Sequence, residues 1–499
     1  MYISTRGNYP EISASQAIKV GMVPAGGLFV PTAIPRLSLE EIGSLVGTSY
    51  QALAETILAR YLDDYTGSEI RSCVAQAYNE SSFGAPEVTP LRRLEDGLHI
   101  LELWHGPTAA FKDVALQLMP HLLSRAVRKV GSQEETVILV ATSGDTGKAA
   151  LEGFKDVPGI RIIVFYPHEG VSKIQQLQMT TTDGANTYVV GVKGNFDDCQ
   201  TGVKNIFGDK AYAGYLAAQG FALSSANSIN WGRLLPQVVY YFSAYLQLVA
   251  RGVITLGDRI NFVVPTGNFG NILAGWYASA MGLPVHKLIC ASNENKVLAD
   301  FFASGTYDRR REFRPTISPS MDILISSNLE RFLFEMNGRD AAAIQRWMES
   351  LQAEGYFAVD PRTKEAMDEV IWGGYATEAE TLEAIREVYR EYGYTLDPHT
   401  AVGMKVYRDY RRATGDTGVT VLAATASPFK FNASVLMAIA GEESLQGLDE
   451  FAMLEELARL TGMPVHPGLA GLDRKEVRHH RLAAKDEFRA RIEEILGLK

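Results

Sequence analysis

The chain has 499 residues, 46% of them apolar and 21% charged, which excludes a disordered polymer and provides for two or three domains. Its formal net charge of −10 argues against a general nucleic-acid or anionic-membrane binder, since both need basic surface. No stretch approaches the roughly 18 apolar residues of a membrane span, and MYISTRGNYPEIS lacks the apolar core of a secretory signal, so a cytoplasmic protein is expected.

Residues 1 to about 80 read as mainly helical, with SLEEIGSLV (38–46) and YQALAETILARYL (50–62) carrying apolar residues at helical spacing. ESSFGAPEVTPLRRL (80–94) then reads as a connecting loop with Gly and Pro punctuation. From residue 98 short apolar runs alternate with helical stretches: LHILELW, ETVILVAT, IRIIVFYP, INFVVP and VHKLICAS. That rhythm predicts βαβ units and parallel sheets, with ligands at the carboxyl ends of the strands. Residues 300–400 are more charged and mostly helical, GVTVLAAT (418–425) restores the strand pattern, and KDEFRARIEEILGLK (485–499) predicts an amphipathic helix. Cys73, Cys199 and Cys290 are far apart and lack metal spacing, so buried structural thiols are expected, with no disulfide framework and no metal site.

Several loops between strand and helix carry chemistry. In WHGPTAAFKDVALQLM (104–119), Lys112 sits between a Gly-Pro turn and an apolar helix, among small or apolar neighbours. Those surroundings suit a lysine that reacts as a free amine; Asp113 beside it suits a helix N-cap or first-turn acid, and Pro120 predicts a kink or a late helix start. PTGNFGN (265–271) follows a buried strand and opens a helix, so it is either a phosphate loop or an ordinary βα turn. A second GNF at 194–196 is followed by Asp197 and Asp198, which would repel a phosphate; a structural turn is expected there. TSGDTG (142–147) is either a carboxylate site, through the hydroxyls of Thr142, Ser143 and Thr146, or a helix start capped by Ser143 or Asp145. SANSINWGRLLPQ (225–237) offers Asn227, Ser228, Asn230 and Arg233, as phosphate ligands or as a capping asparagine and a surface arginine. Thr425, in AATASPF (423–429), ends a strand and either faces a ligand or is an ordinary structural threonine.

In combination and order, these elements outline a pyridoxal phosphate site. The chain resembles the threonine synthase family, fold type II pyridoxal-phosphate enzymes related to tryptophan synthase β. The resemblance covers nearly the whole length: YISTRG, HGPTAAFKD, TSGDTG, GNFDD, SANSINWGR, PTGNFGN and ATASP follow in the family's order, and the opening and SANSINWGR narrow it to the N-terminally extended bacterial and fungal branch.

The resemblance implies an α/β fold with a helical N-terminal domain at 1–80, a cofactor-binding region of two parallel-sheet subdomains at 81–430 with a helical insertion near 300–400, and a C-terminal helical extension at 431–499. It implies conversion of O-phospho-L-homoserine and water to L-threonine and phosphate. By carry-over, Lys112 forms the Schiff base and serves as general base. Gly267, Asn268, Phe269, Gly270 and Asn271 hold the cofactor phosphate, and Thr425 bonds the pyridine nitrogen. Ser143, Gly144, Asp145 and Thr146 match the substrate-carboxylate loop; Asn227, Ser228 and Arg233 are candidates for the substrate phosphate. Asp145 departs from the asparagine common in the wider superfamily, and a carboxylate there would repel the substrate's own. A monomer or homodimer is expected, acting on a small molecule without nucleic-acid or membrane partners. The alternatives are another fold type II lyase such as a threonine or serine dehydratase, a phospholyase releasing 2-oxobutyrate, or a non-catalytic relative.

Overall fold

The computed structural model describes residues 1–142 and 144–498; Ser143 and Lys499 lie outside the described residues. Two sheets carry the architecture. The larger has six strands, in the spatial order Ile371–Tyr375, Val285–Ser292, Ile260–Pro265, Thr420–Ala424, Leu98–Glu102 and Leu91–Glu95. Its pairings are parallel except the last, an antiparallel hairpin closed by Asp96 and Gly97. Gly97 takes φ 79, which a two-residue turn of this type requires. The smaller sheet has five parallel strands: Arg481–Ala483, Thr187–Val192, Ile160–Pro167, Glu135–Ala141 and Phe221–Ser224.

Helices cover both faces, so the central strands are buried throughout and read as continuous apolar runs; every residue of Ile260–Pro265 is buried. The parallel register sets Ala424 opposite Glu102 and Leu422 opposite Val263, so the loops that follow these strands open at the same edge of the sheet. The loops after Ala141, Pro265 and Ala424, each marked above as chemical, all begin at strand carboxyl ends.

The N-terminal segment has four helices, Ala14–Val20, Leu39–Gly43, Tyr50–Tyr61 and Gly67–Ala77, capped by Ser13, Ser38, Ser49 and Thr66. It also holds a two-stranded antiparallel sheet, Tyr2–Ser4 with Phe29–Pro31, too short to read from sequence. It packs on the helices that carry the chemistry. The Tyr78 hydroxyl donates to the Val114 carbonyl at 2.7 Å, the Tyr2 ring meets Trp231 at 5.4 Å, and Asn230 Nδ2 donates to the Ile18 carbonyl at 2.9 Å.

Two short edge strands depart from the sequence reading, and the late helix start at Pro120 follows it. The charged 300–400 stretch is helical but also supplies Ile371–Tyr375, the edge strand of the six-stranded sheet. The C-terminal stretch supplies Arg481–Ala483, an edge strand of the smaller sheet, before the helix Phe488–Leu496 buries Phe488, Ile492, Ile495 and Leu496. The Lys112–Leu116 helix is a single short turn; a separate helix, Met119–Lys129, begins with Pro120 in its first turn, where proline's missing N–H costs nothing. Asn195 and Asp198 in GNFDD close a reciprocal capping box, and Lys485 pairs with Asp198 at 2.8 Å, a structural role. Cys73, Cys199 and Cys290 are free and buried. Among the described residues no helix is long and apolar enough to cross a membrane.

Candidate active site

Lys112 stands where two chain segments are stitched together. The Phe111 N–H donates to the Thr425 carbonyl at 2.8 Å, Ser427 N–H to the Ala109 carbonyl at 3.0 Å, and Ala110 bridges Ala426 antiparallel. The lysine therefore begins its helix one residue from a strand end that carries Thr425. Asp113 lies in the first turn but does not cap its own helix: its carboxylate accepts the Thr108 N–H at 2.8 Å and the Thr108 hydroxyl at 2.6 Å, fixing the turn before Lys112. Burial pushes the Asp113 carboxyl up to about 6. Gly106 is required here, because a Cβ would lie 2.4 Å from Asp113 Cβ.

Lys112 is partly buried, and its Nζ donates to Ser320 Oγ at 3.4 Å. Its ammonium is pushed down to about 8, first by burial and then by the nearby cations of Lys430 and Arg233, against the pull of Asp145 and Asp113. About a tenth is then a free amine at pH 7 and half near pH 8, far more than for an ordinary lysine.

In the loop after Glu135–Ala141, Thr142 Oγ1 accepts the N–H groups of Gly144 at 3.0 Å and Gly147 at 2.9 Å. Thr142, not Asp145, thus caps the helix Asp145–Phe154, while Ser143 lies outside the described residues. Gly144 takes φ 144 and packs against Gln175, whose side-chain nitrogen a Cβ would approach to 2.5 Å. Thr146 is partly exposed on the same loop. Asp145 is buried, yet its carboxyl is held well below the ordinary range: burial alone would raise it, but the ammonium groups of Lys430 and Lys112 outweigh that. Lys430 Nζ meets Asp145 Oδ1 at 3.0 Å, Gln175 Nε2 donates to the same oxygen at 3.3 Å, and Ser320 Oγ donates to Oδ2 at 3.5 Å.

The Gly267–Asn271 loop opens the helix Gly270–Ala280. Phe269 holds φ 65, a left-handed conformation rare for an aromatic, with its ring locked against Phe332 at 5.5 Å. The carbonyls of this loop are tied back: Ser326 Oγ donates to Gly267 O at 2.7 Å, and Asn328 donates through both N–H and Nδ2 to Asn268 O at 3.0 Å. Asn271 Nδ2 donates to Pro265 O at 2.7 Å. The Ile272 N–H donates to Asn271 Oδ1 at 3.0 Å, and the loop is a helix start of the kind that suits an anion. Gly267 presses on the Ser320 carbonyl so closely that a Cβ would lie 2.5 Å from it. Ser320 thus touches both the glycine loop and Lys112.

Arg233, in the first turn of Trp231–Ala250, is buried, not on the surface. Its Nη1 donates to the Ala226 carbonyl at 2.6 Å, and its Nε is buried without a partner among the described residues. Burial lowers its affinity for the proton to about 10. A buried guanidinium with a spare donor, close enough to repel Lys112, is a site waiting for an anion. Asn227 is exposed and its Oδ1 accepts the Ile229 N–H at 3.3 Å, a loop-closing bond. Ser228 is partly exposed beside it, and its carbonyl accepts Asn328 Nδ2 at 3.3 Å.

Lys112, Asp145 and Arg233 are thus brought together, Thr425 through its backbone and Gly267 through Ser320. The Asn268 side chain points outward, and the Phe269 ring belongs to the core. Sequence reasoning passed over Lys430, Ser320, Gln175 and the pair Asp397–His399. Lys430, in PFKF, repeats the pattern that marked Lys112, a lysine between aromatic and apolar residues, and carried a readable signal.

Three family models match the chain: "Threonine synthase N terminus" over residues 1–78, "Pyridoxal-phosphate dependent enzyme" over 83–425, and "Threonine synthase, C-terminal" over 400–487. The chain is 43% identical over 456 residues to human threonine synthase-like 1, an alignment spanning 88% of this chain and 60% of that longer relative. It is 40% identical to the threonine synthase of Pseudomonas aeruginosa, over 93% of this chain and 95% of the relative. A crystal structure of PLP-bound threonine synthase from Brucella melitensis superposes with TM-score 0.88 at 37% identity, covering 99% of this chain and 98% of that one.

Proposed function

This chain belongs to the threonine synthase family of pyridoxal-phosphate dependent enzymes, and from that premise we propose that it converts O-phospho-L-homoserine and water to L-threonine and phosphate, as a carbon–oxygen lyase. The observation that carries the reading is the pairing of Lys112, an amine poised near neutral pH, with Arg233, a buried guanidinium that has a donor to spare. A simple amino-acid dehydratase has no use for a second anion site; a phosphorylated amino acid does.

The residues present fit the cofactor. The Gly267–Asn271 loop offers backbone N–H groups to its phosphate, and Lys112 an amine to its aldehyde. Thr425 offers a neutral hydroxyl to its ring nitrogen. When bound, pyridoxal phosphate supplies an electron sink that makes carbon–hydrogen bonds of the substrate acidic. Lys112, as a free amine, would take the Cα proton; a Cβ proton would leave as the Cγ–O bond breaks, Cγ would be protonated before water adds at Cβ, and Lys112 would return a proton to Cα. Arg233, with Ser228 and Asn227 at the rim, holds the substrate phosphate while the Cγ–O bond breaks, and keeps the anion near as water adds at Cβ. The 142–147 loop, with Ser143, Gly144, Asp145 and Thr146, orients the substrate carboxylate. Lys430 neutralises Asp145 there, which removes the repulsion a lone carboxylate would exert.

Incubation of the cofactor-loaded protein with O-phospho-L-homoserine tests the reading: threonine and phosphate appear in equal amounts. Phosphate with 2-oxobutyrate and no threonine would make the protein a phospholyase, and no turnover at all would contradict the proposal.

A further inference from the structure

Lys430 lies on a short turn, Pro428–Phe431, that follows Thr425 by three residues. Its side chain has 0% exposure, yet among the described residues it makes only two polar contacts, to Asp145 Oδ1 at 3.0 Å and to the Thr108 carbonyl at 2.9 Å. A buried ammonium is costly unless paired, and removing one partner of such a pair leaves an uncompensated charge. Lys430 is thus anchored at both ends of the lysine site: through Thr108 to the turn Asp113 fixes, and through Asp145 to the 142–147 loop. On the far side of Asp145, Ser320 Oγ reaches both Oδ2 and Lys112 Nζ.

We infer that Lys430 is a positioning residue of the reactive-lysine site: it is the built-in counter-ion of Asp145, and by satisfying that carboxylate it frees Lys112 from having to stay charged. The inference rests on the reading of Lys112 as the cofactor lysine. Four charged groups face Lys112: the anions Asp145 and Asp113 and the cations Lys430 and Arg233. Asp145 faces the ammonium groups of Lys430 and Lys112, with the His399 ring nearby. With Lys430 present the anions and cations around Lys112 balance. Without it two carboxylates face one guanidinium, and the proton stays on Lys112. A purely structural lysine would change stability and leave the protonation of Lys112 alone.

The test is the pH dependence of Lys112 labelling by a small amine-reactive acylating reagent, in the full chain freed of cofactor, read by peptide mass spectrometry. Native protein gives a midpoint near 8. Lys430→Met moves it up by about one unit or more, an about fivefold or greater loss of labelling rate at pH 8, and Lys430→Arg restores it. An unmoved midpoint in folded Lys430→Met overturns the inference. Should Lys430→Met fail to fold, Asp145→Asn and Asp145→Asn/Lys430→Met are compared, since the double variant leaves no unpaired buried charge at this pair. With no carboxylate left to satisfy, adding Lys430→Met to Asp145→Asn must leave the midpoint where Asp145→Asn sets it, and a further rise overturns the inference. Reductive trapping of pyridoxal phosphate in native protein separates the two failures. An adduct at another lysine removes the premise, whereas an adduct at Lys112 with an unmoved midpoint removes only the role of Lys430.

Discussion

His399 Nε2 accepts the backbone N–H of Ser320 at 3.2 Å, while its Nδ1 bonds Asp397 Oδ1 at 2.8 Å. Because Nε2 accepts, Nδ1 carries the proton and donates to the carboxylate, which fixes the tautomer. Asp397 also caps the helix Pro398–Thr414, so a helix start, a histidine and the turn Pro319–Met321 form one rigid line ending at the Ser320 hydroxyl, 3.4 Å from Lys112 Nζ. His399→Ala should cut kcat by roughly 10- to 100-fold, about 1–3 kcal/mol, the cost of leaving a buried polar group unpaired. Asp397→Asn should follow it in direction. Steady-state kinetics beside a melting curve separates the effects: kcat falls further than the loss of stability accounts for.

Gly267 meets the same turn from the other side. A Cβ there would lie 2.5 Å from the Ser320 carbonyl oxygen, and backbone on both sides has little room to yield. Gly267→Ala should weaken pyridoxal phosphate about tenfold or more, at least about 1.4 kcal/mol, measured by titrating cofactor-free protein and following absorbance. Unchanged affinity would place the cofactor phosphate away from this loop.

Arg233 predicts opposite effects on stability and function. Its Nε has no partner among the described residues, and no carboxylate pairs with it. Arg233→Met, similar in volume, should leave the melting temperature unchanged or raised, because replacing an uncompensated buried charge by an apolar group is often neutral or stabilising. The same variant should raise KM for O-phospho-L-homoserine by tenfold or more, yet change little for homoserine itself. Equal losses on both compounds would take Arg233 out of the phosphate site.

Asp113 gives a pH dependence with a definite sign. Burial raises its carboxyl from 3.8 to about 6, so the folded chain binds a proton that the unfolded chain has lost between those values. Its contribution to stability is present below about pH 4 and is lost as pH rises through about 6, on the order of 3 kcal/mol in all. Asp113→Asn removes that slope. Thermal melts of the native chain should gain on those of the variant as pH falls from 7 to 5, and parallel curves would contradict the assignment.

The elements most legible in the sequence were those with one local cause. INFVVP and ETVILVAT are mostly apolar because both faces are covered, and a lysine among TAAF and VAL announces its own desolvation. IWGGY hid its strand because the two glycines exist for packing: a Cβ on Gly373 would meet Phe302 at 2.9 Å and one on Gly374 would meet Val406 at 2.9 Å. RLA is three residues long, too short for alternation to register. The site partners were hidden by distance along the chain. Asp145 reads as a liability until Lys430, 285 positions later, closes on it, and His399 reads as a helix-start residue until Ser320, 79 positions earlier, donates to it. Local pattern marked Lys112 and the glycine loops as candidates; that Lys430 closes on Asp145 joins segments 285 positions apart, which local pattern does not predict.

The account turns on which amino group takes the cofactor. Reduction of the pyridoxal phosphate-loaded chain with borohydride, followed by peptide mapping, tests this most directly. The account predicts a single reduced adduct, on Lys112. An adduct on Lys430 or any other lysine, or a chain that stays colourless and unmodified with excess cofactor, would contradict it.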